Sequence, residues 1–158
     1  MIYITKFFWW EGGYYSTIDI IVDHAGFYLC WGCLVWVPTV YTIHSTYLAF
    51  NPEFDSGAYI LGSIFLFGVY CIYINYDIDA QRGYVRSMNG KCEIWGKPAE
   101  YIEAEYVTND GTVNQSILVY SGWWGVARHI NYTYELLAAW MWSFPCKFES
   151  PIGYLYIF

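Results

Sequence analysis

The chain has 158 residues, of which 57% are apolar, 23% aromatic and only 13% charged, with a formal charge of −7. A soluble domain averages about 25% charged residues, so this composition excludes an ordinary soluble domain and implies an integral membrane protein. The acidic balance gives no basis for nucleic-acid binding, which needs a basic face.

Met1 to Tyr15 reads MIYITKFFWWEGGYY. It is shorter than the roughly 20 residues that span a bilayer. Residues 1–20 are therefore expected to form either an interfacial helix or the end of a truncated one. Asp19 and Asp23 follow, four residues apart, and on a helix they would share a face. Carboxylates beside a membrane segment line a polar cavity or sit at the water boundary.

Ala25 to Asn51 carries no Asp, Glu, Lys or Arg, which predicts a first transmembrane helix over 25–50 with a kink at Pro38. Cys30 and Cys33 lie inside this run. No second pair completes a metal site, so they read as small apolar thiols on a membrane helix, and no metal is expected. An acidic turn, NPEFDSG, leads to a second uncharged stretch from Ala58 to Ile74, a second transmembrane helix over 57–76. Eighteen tyrosines and nine tryptophans suit helices that meet lipid headgroups at both ends.

Residues 77–120 read as a cytosolic loop, because Arg82, Arg86, Lys91 and Lys97 make it cationic. Within it, YIEAEYV from Tyr101 to Val107 alternates apolar with polar, Asp110-Gly111 signals a turn, and Asn114 to Tyr120 returns toward apolar. That pattern predicts a β-hairpin. Two glycosylation sequons, at Asn114 and Asn131, fall on the cytosolic side and read as chance matches. A membrane helix is expected over 133–145, and IGYLYIF at 152–158 reads as the start of a truncated helix. The expected fold is an all-α polytopic membrane protein with a short cytosolic hairpin, and the expected chain is a fragment of a longer protein.

The polar cluster that stands out is SGWWGVARHINY, residues 121–132. It holds Trp123 and Trp124 between two glycines, then Arg128, His129 and Asn131. Two readings stand. The aromatic faces, guanidinium and amide suit a planar ligand with an anionic group. Alternatively, the tryptophans form an interfacial belt and the arginine snorkels. The topology puts this stretch on the same side as Asp19, Asp23 and the basic loop, which favours a ligand. Arg82 and Arg86, four residues apart, would present fork-shaped donors to one phosphate from a helical turn. The competing reading is a basic belt drawn to anionic lipid.

Several of these segments resemble the membrane sterol reductases, in the family's order. KFFWWEGGYYSTIDI and DHAGFYLCWGCLVWVP are similar to the central part of that family, NYDIDAQRGYVRSMNGKCEIWGKP to the loop after the next helix, and SGWWGVARHINY to the segment after the family's hairpin. The resemblance runs from about Lys6 to Phe158. At Trp31-Gly32-Cys33 the Δ14-sterol reductases tend to carry Phe-Gly-Asp, so the chain looks closer to the Δ7 branch, with the Δ14 branch as the alternative.

The resemblance implies an endoplasmic-reticulum enzyme of about ten membrane helices, of which this chain would be a central-to-C-terminal part. It implies reduction of a sterol ring double bond with NADPH, the sterol arriving from the bilayer. Carried over residue by residue, the cofactor contacts fall on Arg82 (often Lys in relatives), Arg86, Trp124 and Asn131; Arg128 is added on charge alone. An isolated double bond is a poor hydride acceptor, so a proton donor is required. Asp19 is favoured by its apolar TIDI context, and Asp23, Glu11 and nearby tyrosines such as Tyr14 are the alternatives. The family's C-terminal motif, which completes the nicotinamide site, has no counterpart here, so the chain alone is expected to have little activity. A non-enzymatic sterol-binding or scaffold protein of the same fold is the rival from another class. A transporter would want charge at mid-membrane depth or a paired repeat, and neither is present.

Overall fold

A computed structural model gives the fold, and describes every residue except 18, 19, 22, 23, 52–56, 109, 149 and 158. The chain divides into two compact units, Met1–Tyr73 with Tyr134–Phe158, and Ile74–Thr133.

The first unit is helical. Helices α1 (Ile2–Trp9) and α2 (Glu11–Tyr14) are tied by aromatic contacts, with Phe7 and Tyr14 rings 4.2 Å apart. Where one kinked span was expected over 25–50, the chain makes α3 (Phe27–Trp31), a π turn (Gly32–Trp36), α4 (Val37–Val40) and, after Tyr41-Thr42, α5 (Ile43–Phe50). Pro38 has no N–H and its ring crowds the preceding turn, so the ladder widens to π spacing just before it. Thr39 and Thr42 then donate their hydroxyls to the Val35 and Pro38 carbonyls, at 2.6 and 2.7 Å. Such back-bonding competes with the backbone ladder and favours a bend.

Helix α6 (Ala58–Ser87) has 30 residues and alone, among the described residues, is long and apolar enough to cross a membrane. Its apolar beginning matches the second expected span. It continues through Asn75, Asp77 and Asp79, where a loop was expected, because those polar residues find partners within the fold rather than turning the chain. Helix α8 (Ile130–Ser143) covers most of the expected 133–145 helix. Its 14 residues rise about 21 Å, short of the roughly 30 Å hydrocarbon thickness. Two 3₁₀ turns follow, Phe144–Cys146 and Pro151–Tyr154.

The second unit joins the end of α6 to two antiparallel pairs, β1 (Glu93–Ile94) with β2 (Lys97–Pro98), and β3 (Tyr101–Val107) with β4 (Val113–Val119). The larger hairpin is the one the alternation predicts, in register from Tyr101 opposite Val119 to Val107 opposite Val113. In its turn, hydrogen bonds from the Thr108 hydroxyl and the Thr112 amide hold the exposed Asp110 carboxyl below the usual carboxylate range. The small β1–β2 hairpin was not foreseen. Its turn places Trp95 and Gly96 both at positive φ, +51° and +75°, the geometry that two-residue hairpin turns demand. Helix α7 (Trp123–Val126) is a single turn that follows β4. Ile74, Ile78 and Val85 of α6, with Ile94 and Ile130, are buried.

Candidate functional site

The site lies wholly in the second unit, where the last turns of α6 meet α7. Residues 77, 78, 81 and 82 are spaced one, four and five apart, so a helix puts them on one stripe. That stripe receives the tryptophan pair. The Trp123 amide donates to Gln81 Oε1 at 2.9 Å and its indole Nε1 donates to Asp77 Oδ2 at 2.8 Å. Trp124 Nε1 donates to the Ile78 carbonyl at 3.1 Å. An interfacial belt was one of the two readings for the tryptophans; here Trp123 is half-buried with its polar edge satisfied within the unit.

Gly122 makes this approach possible. Its φ is +62°, and a Cβ there would run into the Gln81 side chain and Ile94 Cγ2. Only glycine combines that backbone conformation with that closeness. On its other side the Trp123 ring meets Trp95 edge to face, with centroids 5.2 Å apart.

The arrangement brings two of the expected cofactor residues together. The Arg82 guanidinium lies 4.7 Å from the centroid of the Trp124 ring, a cation–π geometry. One edge of the fork is bound to Asp79 Oδ1 at 3.0 Å; Asp79 is nearly buried, while 34% of the Arg82 side chain is exposed. The guanidinium is thus oriented by a ring face and a carboxylate, with further donors available to a ligand. Asn131 is held from Asn75, whose Nδ2 donates to the Asn131 carbonyl at 3.0 Å. Asn131 Oδ1 is buried with no partner among the described residues. A buried acceptor in that state invites a donor.

Arg86 has different neighbours. It lines a cavity of about 400 Å³ with Asn89, Tyr101, Glu103, Glu105 and Gln115. The carboxylates there temper its attraction for an anion, and Arg82 has neighbours of its own in Asp79 and Trp124. Arg128 is exposed in the turn before α8. Of the proposed proton donors, Asp19 and Asp23 lie outside the described residues. Glu11 is exposed at the start of α2, where its carboxylate accepts a hydrogen bond from the Tyr15 hydroxyl at 3.3 Å, and Tyr14 is half-buried.

Sequence reasoning passed over Asp77, Asp79, Gln81 and Trp95. The signal available for the first three was their i, i+2 and i+4 spacing beside Arg82, legible only once the helix is known to continue there. Trp95 had a weak cue in Trp-Gly between two short polar runs.

The chain is 49% identical over 157 residues to a 7-dehydrocholesterol reductase of Arabidopsis thaliana, covering 99% of this chain and 36% of that protein. It is 42% identical to a 7-dehydrocholesterol reductase of Xenopus laevis, covering 98% of this chain and 33% of that one. It is 35% identical to a Delta(14)-sterol reductase of Methylotuvimicrobium alcaliphilum, covering 98% and 34%. The chain therefore spans about a third of the length of the curated relatives it matches. The profile described as "Ergosterol biosynthesis ERG4/ERG24 family" matches residues 1–158, and the chain belongs to that family of sterol reductases.

Proposed function

We propose that this chain forms part of an NADPH-dependent sterol reductase, a multi-pass enzyme of the endoplasmic-reticulum membrane that takes its substrate from the bilayer. The observation that supports it most is Arg82 stacked on Trp124 at 4.7 Å and steered by Asp79. A stacked, partly exposed guanidinium suits a phosphate, since the fork keeps donors in a fixed plane. The unpartnered Asn131 Oδ1 suits a carboxamide N–H or a ribose hydroxyl. The residues present therefore fit a nicotinamide dinucleotide, with Arg82, Trp124 and Asn131 as its contacts and Arg86 and Arg128 as further phosphate partners. When bound, that cofactor supplies a hydride. The chain's own acid, for which we propose Asp19, gives the proton to the other carbon of the double bond, with Asp23 and Glu11 as alternatives.

We take the Δ7 bond of 7-dehydrocholesterol-type sterols as the substrate bond. Trp31-Gly32-Cys33 in place of the Δ14 branch's Phe-Gly-Asp supports this, as do the higher identities to the two 7-dehydrocholesterol reductases. The test uses membranes carrying the intact gene product that contains this chain, supplied with NADPH and either a Δ7 or a Δ14 sterol. Turnover of the Δ7 sterol is expected; turnover of the Δ14 sterol alone would reassign the bond, and turnover of neither would favour a sterol-binding scaffold. Arg82→Ala should lower kcat/KM for NADPH by about 10–100-fold, the worth of a hydrogen bond to a charged group. Arg82→Lys keeps the charge without the fork and should fall between. Asp19→Asn should abolish turnover and spare NADPH binding.

A further inference from the structure

We propose that Asp77 is a positioning residue for the cofactor site, acting through Trp123 to fix the plane of Trp124 and hence the direction of the Arg82 fork; this rests on the cofactor reading above. Three observations carry it. First, among the hydrogen bonds of the described residues Asp77 makes none to Arg82 or Trp124; it accepts from the indole N–H of Trp123, at 2.8 Å. Second, Trp123 is gripped at three places: Nε1 by Asp77, the backbone amide by Gln81, and the ring by Trp95. Third, Trp124 follows directly in the one-turn helix α7, so the orientation of Trp123 sets where its neighbour's side chain can go. Trp124 then needs only its own bond to the Ile78 carbonyl to lie under Arg82.

Helix α6 thus holds two carboxylates with separate duties. Asp79 holds the cation directly, and Asp77 holds the ring that the cation lies on by way of the next residue. A one-turn helix cannot hold such a plane by itself. Four residues form at most one internal turn, and isolated short helices are unstable in water. The geometry of α7 is therefore set by what grips it from outside, and Asp77 supplies the grip furthest along the stripe from Arg82. Without Asp77 the Trp123 indole loses the bond that fixes its rotamer, α7 is held less firmly, and the stacking face under the guanidinium is less well fixed.

The experiment measures steady-state kinetics of the intact gene product in membranes, with NADPH and sterol varied separately, for Asp77→Leu, Asp77→Asn, Arg82→Ala and Trp124→Ala. Leucine keeps the side-chain size and removes the acceptor; asparagine keeps an acceptor oxygen. The expected result is a KM for NADPH raised about tenfold by Asp77→Leu, the scale of one charged hydrogen bond. KM for the sterol should stay unchanged, and Asp77→Asn should remain within about twofold of the wild type. If Arg82→Ala and Trp124→Ala raise KM for NADPH while Asp77→Leu does not, the positioning role is overturned and the cofactor reading stands. If none of the three moves it, the cofactor reading falls and takes this proposal with it. If Asp77→Leu shifts kcat and both KM values together and asparagine does not restore them, Asp77 is a folding residue only and the proposal is again overturned.

Discussion

The two units solve opposite problems. The unit formed by Ile74–Thr133 leaves one buried side-chain polar atom without a partner among the described residues, Asn131 Oδ1, and its tryptophan pair is served by Asp77, Gln81 and the Ile78 carbonyl. The unit formed by Met1–Tyr73 and Tyr134–Phe158 leaves four. His44 Nδ1, Trp142 Nε1, Ser143 Oγ and Tyr154 Oη are buried there without a partner among the described residues; in the other unit Asn131 Oδ1 is the counterpart. The first unit also turns large apolar side chains outward, Phe27 at 83% exposure and Leu66 at 68%. Extended apolar surface is costly in water and neutral in lipid. The comparison teaches that apolar content and a finished interior are separate properties: the more apolar unit is the one where more buried polar atoms are left unmet.

The sharpest way to break this contrast is to charge the outer face of α6. Leu66 sits mid-way along its uncharged part and points outward. If that face meets hydrocarbon, Leu66→Arg should cost about 3 kcal/mol of insertion free energy. A glycosylation-reporter insertion assay on the intact gene product reads this directly. Unchanged insertion would mean the face is wet or covered by protein, and the membrane reading of α6 would fail.

A smaller effect is expected in the second unit, where closeness rather than apolar surface is at stake. Gly122→Ala would force a non-glycine residue to φ +62° and drive a methyl into Gln81 and Ile94. The cost should be about 2 kcal/mol. It would appear as faster hydrogen exchange at the amides of α7, with the helices of the first unit unaffected. Equal acceleration in both units would show that they open together and that the division between them has no energetic meaning.

These same residues show how far the sequence could be read. The hairpin at β3–β4 was legible because alternation and Asp110-Gly111 are local signals. The apolar start of α6 was legible because an uncharged run of that length has few alternatives. Its continuation to Ser87 was not. Asn75, Asp77, Asp79 and Arg82 look like a loop when counted by polarity, and they sit on a helix because Asn75, Asp77 and Arg82 meet partners 42 to 56 residues away while Asp79 pairs with Arg82 one turn on. The site divides in the same way. Arg82, Trp124 and Asn131 could be named by resemblance. Their mounting by Asp77, Gln81 and Gly122 depends on tertiary contact and has no local signature. The break at Tyr41-Thr42 was displaced from Pro38 for a related reason, since hydroxyl back-bonds several residues on share in setting where the helix gives way.

The smallest predicted effect discriminates best between the two units. Ser143 is fully buried in the first unit and its hydroxyl has no partner among the described residues. Removing an unsatisfied buried hydroxyl takes away a desolvation cost without breaking a bond, so Ser143→Ala should be neutral or stabilising by up to about 1 kcal/mol. Gln81→Leu in the second unit is the mirror case, because it removes an acceptor and strands the Trp123 amide. It should destabilise by about 1–2 kcal/mol. Thermal unfolding of the detergent-solubilised intact protein compares the two variants on one scale. The sign of the difference carries the weight. A marked loss of stability in Ser143→Ala would mean that its hydroxyl is satisfied in the assembled protein, by water or by a neighbouring segment. The first unit would then be as well served as the second, only by partners from outside the unit.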